Sequence, residues 1–260
     1  MDAVNKFMMP SDFKTSTIEW FSQFNQSHPL MKISETYGQI SIDNLFPSAR
    51  IISETPVVNK NDFESYMRVS LQNHIAFNYT FNAACFGNKE FEKKTYRQVV
   101  DFFKYLESIG VDSITVTNPA VVEMIKTNCS ALKVKASVIL AINTPTKAKY
   151  MEKLGVDRMV LYEGINRYFQ VIENIHKNVN CELELIVNTL CLKDCPFSSQ
   201  HYNSLAHSKE YENFQDYYSR LCMFQKMDPV EFIKINWIRP EDIPLYNQVG
   251  IHNFKVRGRT

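Results

Sequence analysis

Short β-rich runs that alternate with amphipathic helical runs constrain this chain more than any other feature. IAFNYTFN (75–82) reads as a strand. TYRQVVDFFKYLESIG (95–110) follows it, with Val99, Val100, Phe103, Leu106 and Ile109 at helical spacing and Gly110 as the stop. The pattern repeats as SITVTNP (113–119) with AVVEMIKT (120–127), VKASVIL (134–140) with TKAKYMEKLG (146–155), and RMVLYEG (158–164) with INRYFQVIENIHKN (165–178). ELELIVN (182–188) and FKVRGR (254–259) are the last two strands. Near the start, KFMMPSD (6–12), TSTIEWFSQFNQ (15–26) and KISETYG (32–38) keep the same rhythm less cleanly. Eight strands are expected, near residues 7, 33, 76, 114, 135, 159, 184 and 255. Repeated β-then-α units imply parallel strands with right-handed crossovers. Eight of them in 260 residues predict an α/β fold, a TIM-like (β/α)8 barrel, which usually takes about 250 residues. A doubly wound open sheet is the alternative.

One domain is expected over residues 1–260, with the irregular stretch 39–62, which holds Pro47 and Pro56, as a loop insertion. The chain stops at Thr260 directly after the eighth strand, which leaves no sequence for a closing helix. Either the chain is truncated, or another segment or subunit is expected to cover that gap. The N-terminal MDAVNKFMMPSDF lacks the charged, apolar, small-residue order of a secretory signal. No uncharged run approaches the ~18 residues that cross a bilayer. A cytoplasmic protein without membrane contact is expected. A formal net charge of +1 gives no argument for wholesale nucleic-acid binding, and seven glycines disfavour a glycine-rich phosphate loop.

Six cysteines in such a compartment are poor material for disulfides. In a barrel, chemistry sits at the C-terminal ends of the strands. Cys85 follows strand three, Cys191 and Cys195 follow strand seven, and Cys222 lies between strands seven and eight, so all four can reach that face. Cys129 and Cys181 precede strands and belong at the opposite end. Four cysteines match the ligand count of an iron–sulfur cluster or a structural zinc, although C-x3-C is looser than the C-x2-C of zinc ribbons. Ordinary buried thiols are the plainer reading. A Cys–His peptidase would pair Cys191 with His201 or His207.

The segment ELELIVNTLCLKDCPFSSQHYN, with WIRPEDIPLYNQVGIHNFKVRGR (237–259), resembles peptidase family U32, the collagenase-like proteins and their relatives. The likeness runs from about residue 75 to the end. It implies a TIM-like barrel. Several relatives carry a 4Fe-4S cluster on cysteines and perform oxygen-independent hydroxylations, in ubiquinone synthesis or on RNA bases. Peptidase activity in the family rests on no agreed nucleophile, and relatives act in pairs. The resemblance therefore implies a cluster held by Cys191, Cys195 and Cys222, with Cys85 placed as fourth ligand by barrel geometry. Many members space the strand-seven cysteines more widely.

Polar residues at strand ends are the expected substrate contacts: Glu35, Tyr37, Asn78, Asn82, Asn118 and Asn188. Helix capping by Asn is the alternative for each. Arg239, with Lys255, Arg257 and Arg259 on one strand face, points to a substrate with an anionic group, whether small molecule, peptide or RNA. Internal pairing with Glu163, Glu184, Glu241 or Asp242 is the competing role. His201, Glu163 and Arg257 are the candidate catalytic groups. Three functions follow: an iron–sulfur redox enzyme, a peptidase, and a non-catalytic partner of a second U32-like subunit.

Overall fold

The alternation closes into a barrel. The computed structural model describes residues 4–40, 49–50 and 56–258. Eight parallel strands run β1 (Asn5–Pro10), β2 (Met31–Gly38), β3 (Ala76–Phe81), β4 (Ser113–Val116), β5 (Lys133–Ala136), β6 (Arg158–Val160), β7 (Glu182–Ile186) and β8 (Asn253–Lys255), in sequence order, with β8 back against β1. Every expected strand is present. Several are shorter than their apolar runs, because a strand ends where ladder pairing ends, not where hydrophobicity does. After β5, for example, Val138–Leu140 turn into a 3-10 helix that Ser137 caps.

Helices α1 (Thr15–Ser27), α2 (Lys60–Gln72), α3 (Lys93–Ser108), α4 (Pro119–Asn128), α5 (Pro145–Lys153) and α6 (Phe169–His176) ring the sheet. Local chemistry starts and stops them. Asn59 caps α2 through the Asp62 N–H, and Pro119 and Pro145 open α4 and α5, where a missing N–H costs nothing. Gly110, at φ +85°, takes the left-handed turn beyond α3. Helix α2 begins within the expected insertion 39–62; residues 41–48 and 51–55 of that insertion lie outside the described residues. Between β7 and β8 the chain forms α7 (Ser198–Ala206), α8 (Tyr217–Gln225), α9 (Pro229–Lys234) and α10 (Ile243–Gln248). Among the described residues no helix is long and apolar enough to cross a membrane.

Successive strand residues face opposite ways. The outward set is apolar and packs on the helices: Tyr79 meets Phe102 at 5.3 Å and Phe81 meets Phe103 at 5.1 Å, both edge to face. The inward set is largely polar. Where many barrels fill this space with Val, Ile and Leu, Lys135 of β5 reaches Glu35 of β2 at 2.5 Å and Glu184 of β7 at 2.8 Å. Arg158 of β6 adds bonds to Glu35 at 3.2 Å and Glu184 at 3.5 Å. Glu35, Glu184, Lys135 and Arg158 thus pair in a layer that crosses the barrel, and Arg158 also forks onto Glu182 at 2.5 and 2.6 Å.

This layer corrects two expectations. Glu35 is not at the mouth but locked in the ion pairs. Asn78 is fully buried beside it, donating to Ser113 at 2.7 Å and accepting from Thr115 at 2.5 Å.

Candidate functional site

The C-terminal ends of the strands open on a cavity of about 810 Å³. Each wall traces to an element. Strand β2 supplies Tyr37, the end of β3 supplies Asn82, and the end of β5 supplies Ser137; Asn82 donates to Ser137 at 3.3 Å. The end of β8 supplies Lys255 and Arg257. The β7–α7 loop supplies Cys191 and Cys195, α7 supplies His201 and Tyr202, and α8 folds across to add Cys222. Arg50 also lines the cavity and donates to the Gly258 carbonyl at 2.9 Å.

Arg257 is held from both sides. Its main chain exchanges two hydrogen bonds with the Asn188 amide, at 2.5 and 2.6 Å. Its guanidinium lies 3.5 Å from Glu163 and 3.7 Å from the Cys191 sulfur. Glu163 in turn accepts from the Thr189 hydroxyl. Burial opposes the guanidinium's charge, but Tyr202, Cys191 and Glu163 outweigh it and hold Arg257 in its charged form. The opposite holds for Cys191. Burial, followed by the Glu163 charge, pushes its thiol up to about 11, and Arg257 offsets only part of this. A thiol kept protonated is a poor nucleophile.

Lys255 is buried, with its ammonium 3.8 Å above the Tyr37 ring. Among the described residues no carboxylate lies within ion-pair distance of it. Burial lowers its pKa to about 8; Lys135 and Arg50 add to that, while Glu184 and Glu35 work against it. The Tyr37 hydroxyl donates to the Val256 carbonyl at 2.9 Å, and burial pushes its pKa up to about 12.

His201 does not form a triad. Its Nε2 is 3.4 Å from Asp216 and also 3.4 Å from the Ser219 hydroxyl. Acid orienter and nucleophile need different ring nitrogens. His207 pairs with Glu210 at 3.0 Å instead of reaching Cys191.

Tyr37, Asn82, Lys255 and Arg257 therefore meet at one cavity from the ends of their strands, and His201 joins them from helix α7. Other expected contacts lie elsewhere. Asn118 caps α4 by accepting from the Ala120 N–H and donates to Glu90. Asn188 is exposed and grips the Arg257 backbone. Arg239 is on the surface, forked onto Asp242 at 2.7 and 2.8 Å. Arg259 lies outside the described residues. Arg50, Tyr202 and Lys135 escaped the sequence reading: Arg50 sits in an irregular stretch, Tyr202 in an unpredicted helix, and Lys135 reads as one polar position in an apolar strand.

The cysteines divide. Cys191, Cys195 and Cys222 share the cavity wall, whereas Cys85 packs beside the core and accepts from the Gly87 N–H. Among the described residues no three of His, Cys, Asp and Glu stand close enough to hold a metal ion. The four-cysteine ligand set is therefore not assembled among the described residues, and only Cys191, Cys195 and Cys222 share the cavity wall.

The model of peptidase family U32 matches residues 58–260. The "Uncharacterized protease MJ1657" of Methanocaldococcus jannaschii is 31% identical over 205 residues, 78% of this chain and 61% of the relative. The chain thus spans less than two thirds of that relative's length. The solved U32 peptidase Mk0906 superimposes with a TM-score of 0.70 at 17% identity, over 99% of this chain and 94% of that one. The tryptophan synthase A-subunit of Pyrococcus furiosus gives a TM-score of 0.53 at 9% identity, covering 98% of this chain and 87% of that one, a likeness of fold alone.

Proposed function

The chain belongs to peptidase family U32, and on that premise we propose that it is an enzyme whose barrel mouth takes a peptide substrate by a carboxylate. One observation carries this: Arg257, permanently charged and pinned by Asn188, faces an 810 Å³ cavity at the catalytic end of the barrel beside Arg50. A guanidinium there matches a carboxylate in a planar, two-bonded contact. The names of the relatives support hydrolysis of a peptide bond. Ser219 does meet His201 in the cavity, but Asp216 meets the same ring nitrogen, so the three do not form a triad.

The test is a panel of free-acid peptides and their C-terminal amides with wild type and Arg257→Gln. Loss of one charge-assisted contact, worth about 1.5–3 kcal/mol, should lower kcat/KM for acids by roughly 10- to 100-fold. Amides should be poor substrates of both proteins. Equal turnover of acids and amides would sink the reading.

A second reading has its own support. Cys191, Cys195 and Cys222 line the same cavity as Arg257, so an iron–sulfur redox enzyme would carry its sulfur ligands beside the anion site. The arrangement described above does not assemble that set, and no step is derived through it. Iron and acid-labile sulfide measured after oxygen-free purification, in wild type and Cys191→Ser, decide between the two. Bound cluster in the first and none in the second would put redox chemistry ahead of hydrolysis.

A further inference from the structure

The barrel interior holds two buried lysines with opposite surroundings. Lys135 is gripped by two carboxylates at 2.5 and 2.8 Å. Lys255, one layer nearer the mouth, has an aromatic face at 3.8 Å and no carboxylate within ion-pair distance among the described residues. Burying an ammonium without a counter-ion is costly, so its neutral amine is favoured. That amine lines the cavity. Two residues further along the same strand line, about 7 Å between Cα positions, Arg257 supplies a fixed positive charge. Hydroxyls of Thr80, Thr115 and Ser137 line the same space. A buried lysine with no bound carboxylate among the described residues, an arginine further along the same strand line and a polar cavity wall are what a small carbonyl acid needs.

We propose that Lys255 is a Schiff-base lysine that condenses with the carbonyl carbon of a 2-oxo acid whose carboxylate rests on Arg257. The inference relies on the anion site proposed above and adds a carbonyl chemistry to it. The amine lone pair attacks the carbonyl carbon and forms the C–N bond. The carbonyl π pair moves to oxygen, which takes up a proton, and nitrogen loses one, giving a carbinolamine. The hydroxyl then departs with a second proton as water, and the nitrogen pair closes the C=N bond. Nothing is oxidised or reduced. A 2-oxo acid is a small molecule that carries both a carbonyl for the amine and a carboxylate for the guanidinium. The groups facing the amine are Glu184 and Glu35, which favour its charge, Lys135 and Arg50, which oppose it, and Tyr37, which stays a neutral phenol. Their balance, with burial, leaves half the amine free near pH 8.

The experiment uses the whole chain with pyruvate and sodium borohydride, which reduces an imine to a stable amine. Intact mass and a tryptic map read the product. The expected result is one adduct per chain on the Lys255 peptide, with a trapping rate that rises from pH 7 to 9. Lys255→Arg should carry no adduct while keeping the wild-type circular dichroism, and Arg257→Gln should trap about tenfold more slowly. In parallel, pyruvate and the unreactive lactate are tested for protection of Arg257 against phenylglyoxal. Protection without an adduct overturns the Schiff base and leaves the anion site standing. An adduct without protection supports the lysine and removes the anion site. Neither result overturns both, and labelling spread equally over surface lysines in wild type and Lys255→Arg overturns the inference.

Discussion

Two lysines with the same chemistry behave differently because of what lies within 4 Å. Lys135 belongs to a layer of paired charges, whereas Lys255 is buried beside a ring. In the unfolded chain Lys255 ionises near its ordinary 10.5; in the fold it does so near 8. Between those values the unfolded state binds the extra proton, so this residue makes stability rise with pH from 8 to about 10.5. Below pH 8 its penalty is fully present. Lys255→Met should therefore raise stability at pH 7 by about 2–3 kcal/mol and flatten that rise, as urea unfolding at pH 7 and 10 would show. An unchanged pH dependence would mean the folded amine ionises normally. Glu184 is the converse case. Its carboxyl is buried and held in the charged form chiefly by Lys135, against the cost of burial. Glu184→Gln should destabilise by about 3–5 kcal/mol, because a buried cation loses half its compensation. Calorimetry or urea titration at pH 7 checks this, and a loss under 1 kcal/mol would show that water reaches the layer.

At the level of elements, two asparagines that both read as substrate contacts separate into different roles. Asn118 is a helix cap, so Asn118→Ala should cost about 1 kcal/mol of stability and leave ligand affinity alone. Asn188 is exposed and does not itself line the cavity, yet it fixes the backbone of Arg257 from 69 residues away. Asn188→Ala should change stability by less than about 1 kcal/mol, while binding of a carboxylate ligand weakens several-fold by titration. Conservative Asn188→Asp, which can accept from the Arg257 N–H but not donate to its carbonyl, should fall between. The sequence shows both asparagines at strand ends and cannot rank them. A cap is a contact two residues away along the chain, and a clamp needs a partner brought from the opposite end of it. The four helices between β7 and β8 were equally hard to read. Exposed Met223, Phe224, Met227 and Ile233 break the clean apolar stripe that marks a core-facing helix.

Across the whole molecule, a tightly paired barrel carries a more loosely packed cap. The strands and the helices α1 to α6 packed on them hold most of the fully buried residues, while α8 and α9 bury none of their side chains. Amide exchange should therefore run slowest in β2 to β5 and orders of magnitude faster in residues 211–234, with protection of the cap rising when a 2-oxo acid is added. Uniform protection would mean that cap and barrel open together. The eight-strand count was legible in the sequence, because hydrophobic periodicity and turn residues are local properties that survive without any partner. So was the meeting of Tyr37, Asn82, Lys255 and Arg257, since a parallel barrel brings every strand's C-terminal end to one face. The remaining distinctions were not local. Glu35 became part of an ion pair only because β2 and β5 face each other across the barrel. Cys85 stands apart from the other three thiols because its loop turns back onto the core. Lys255 has its pKa lowered because it is buried with no carboxylate within ion-pair distance among the described residues, a property of the space around it. The sequence by itself determined the order and type of the elements; tertiary structure decided which charges cancel, because Coulomb energy depends on distances that only the closed barrel sets.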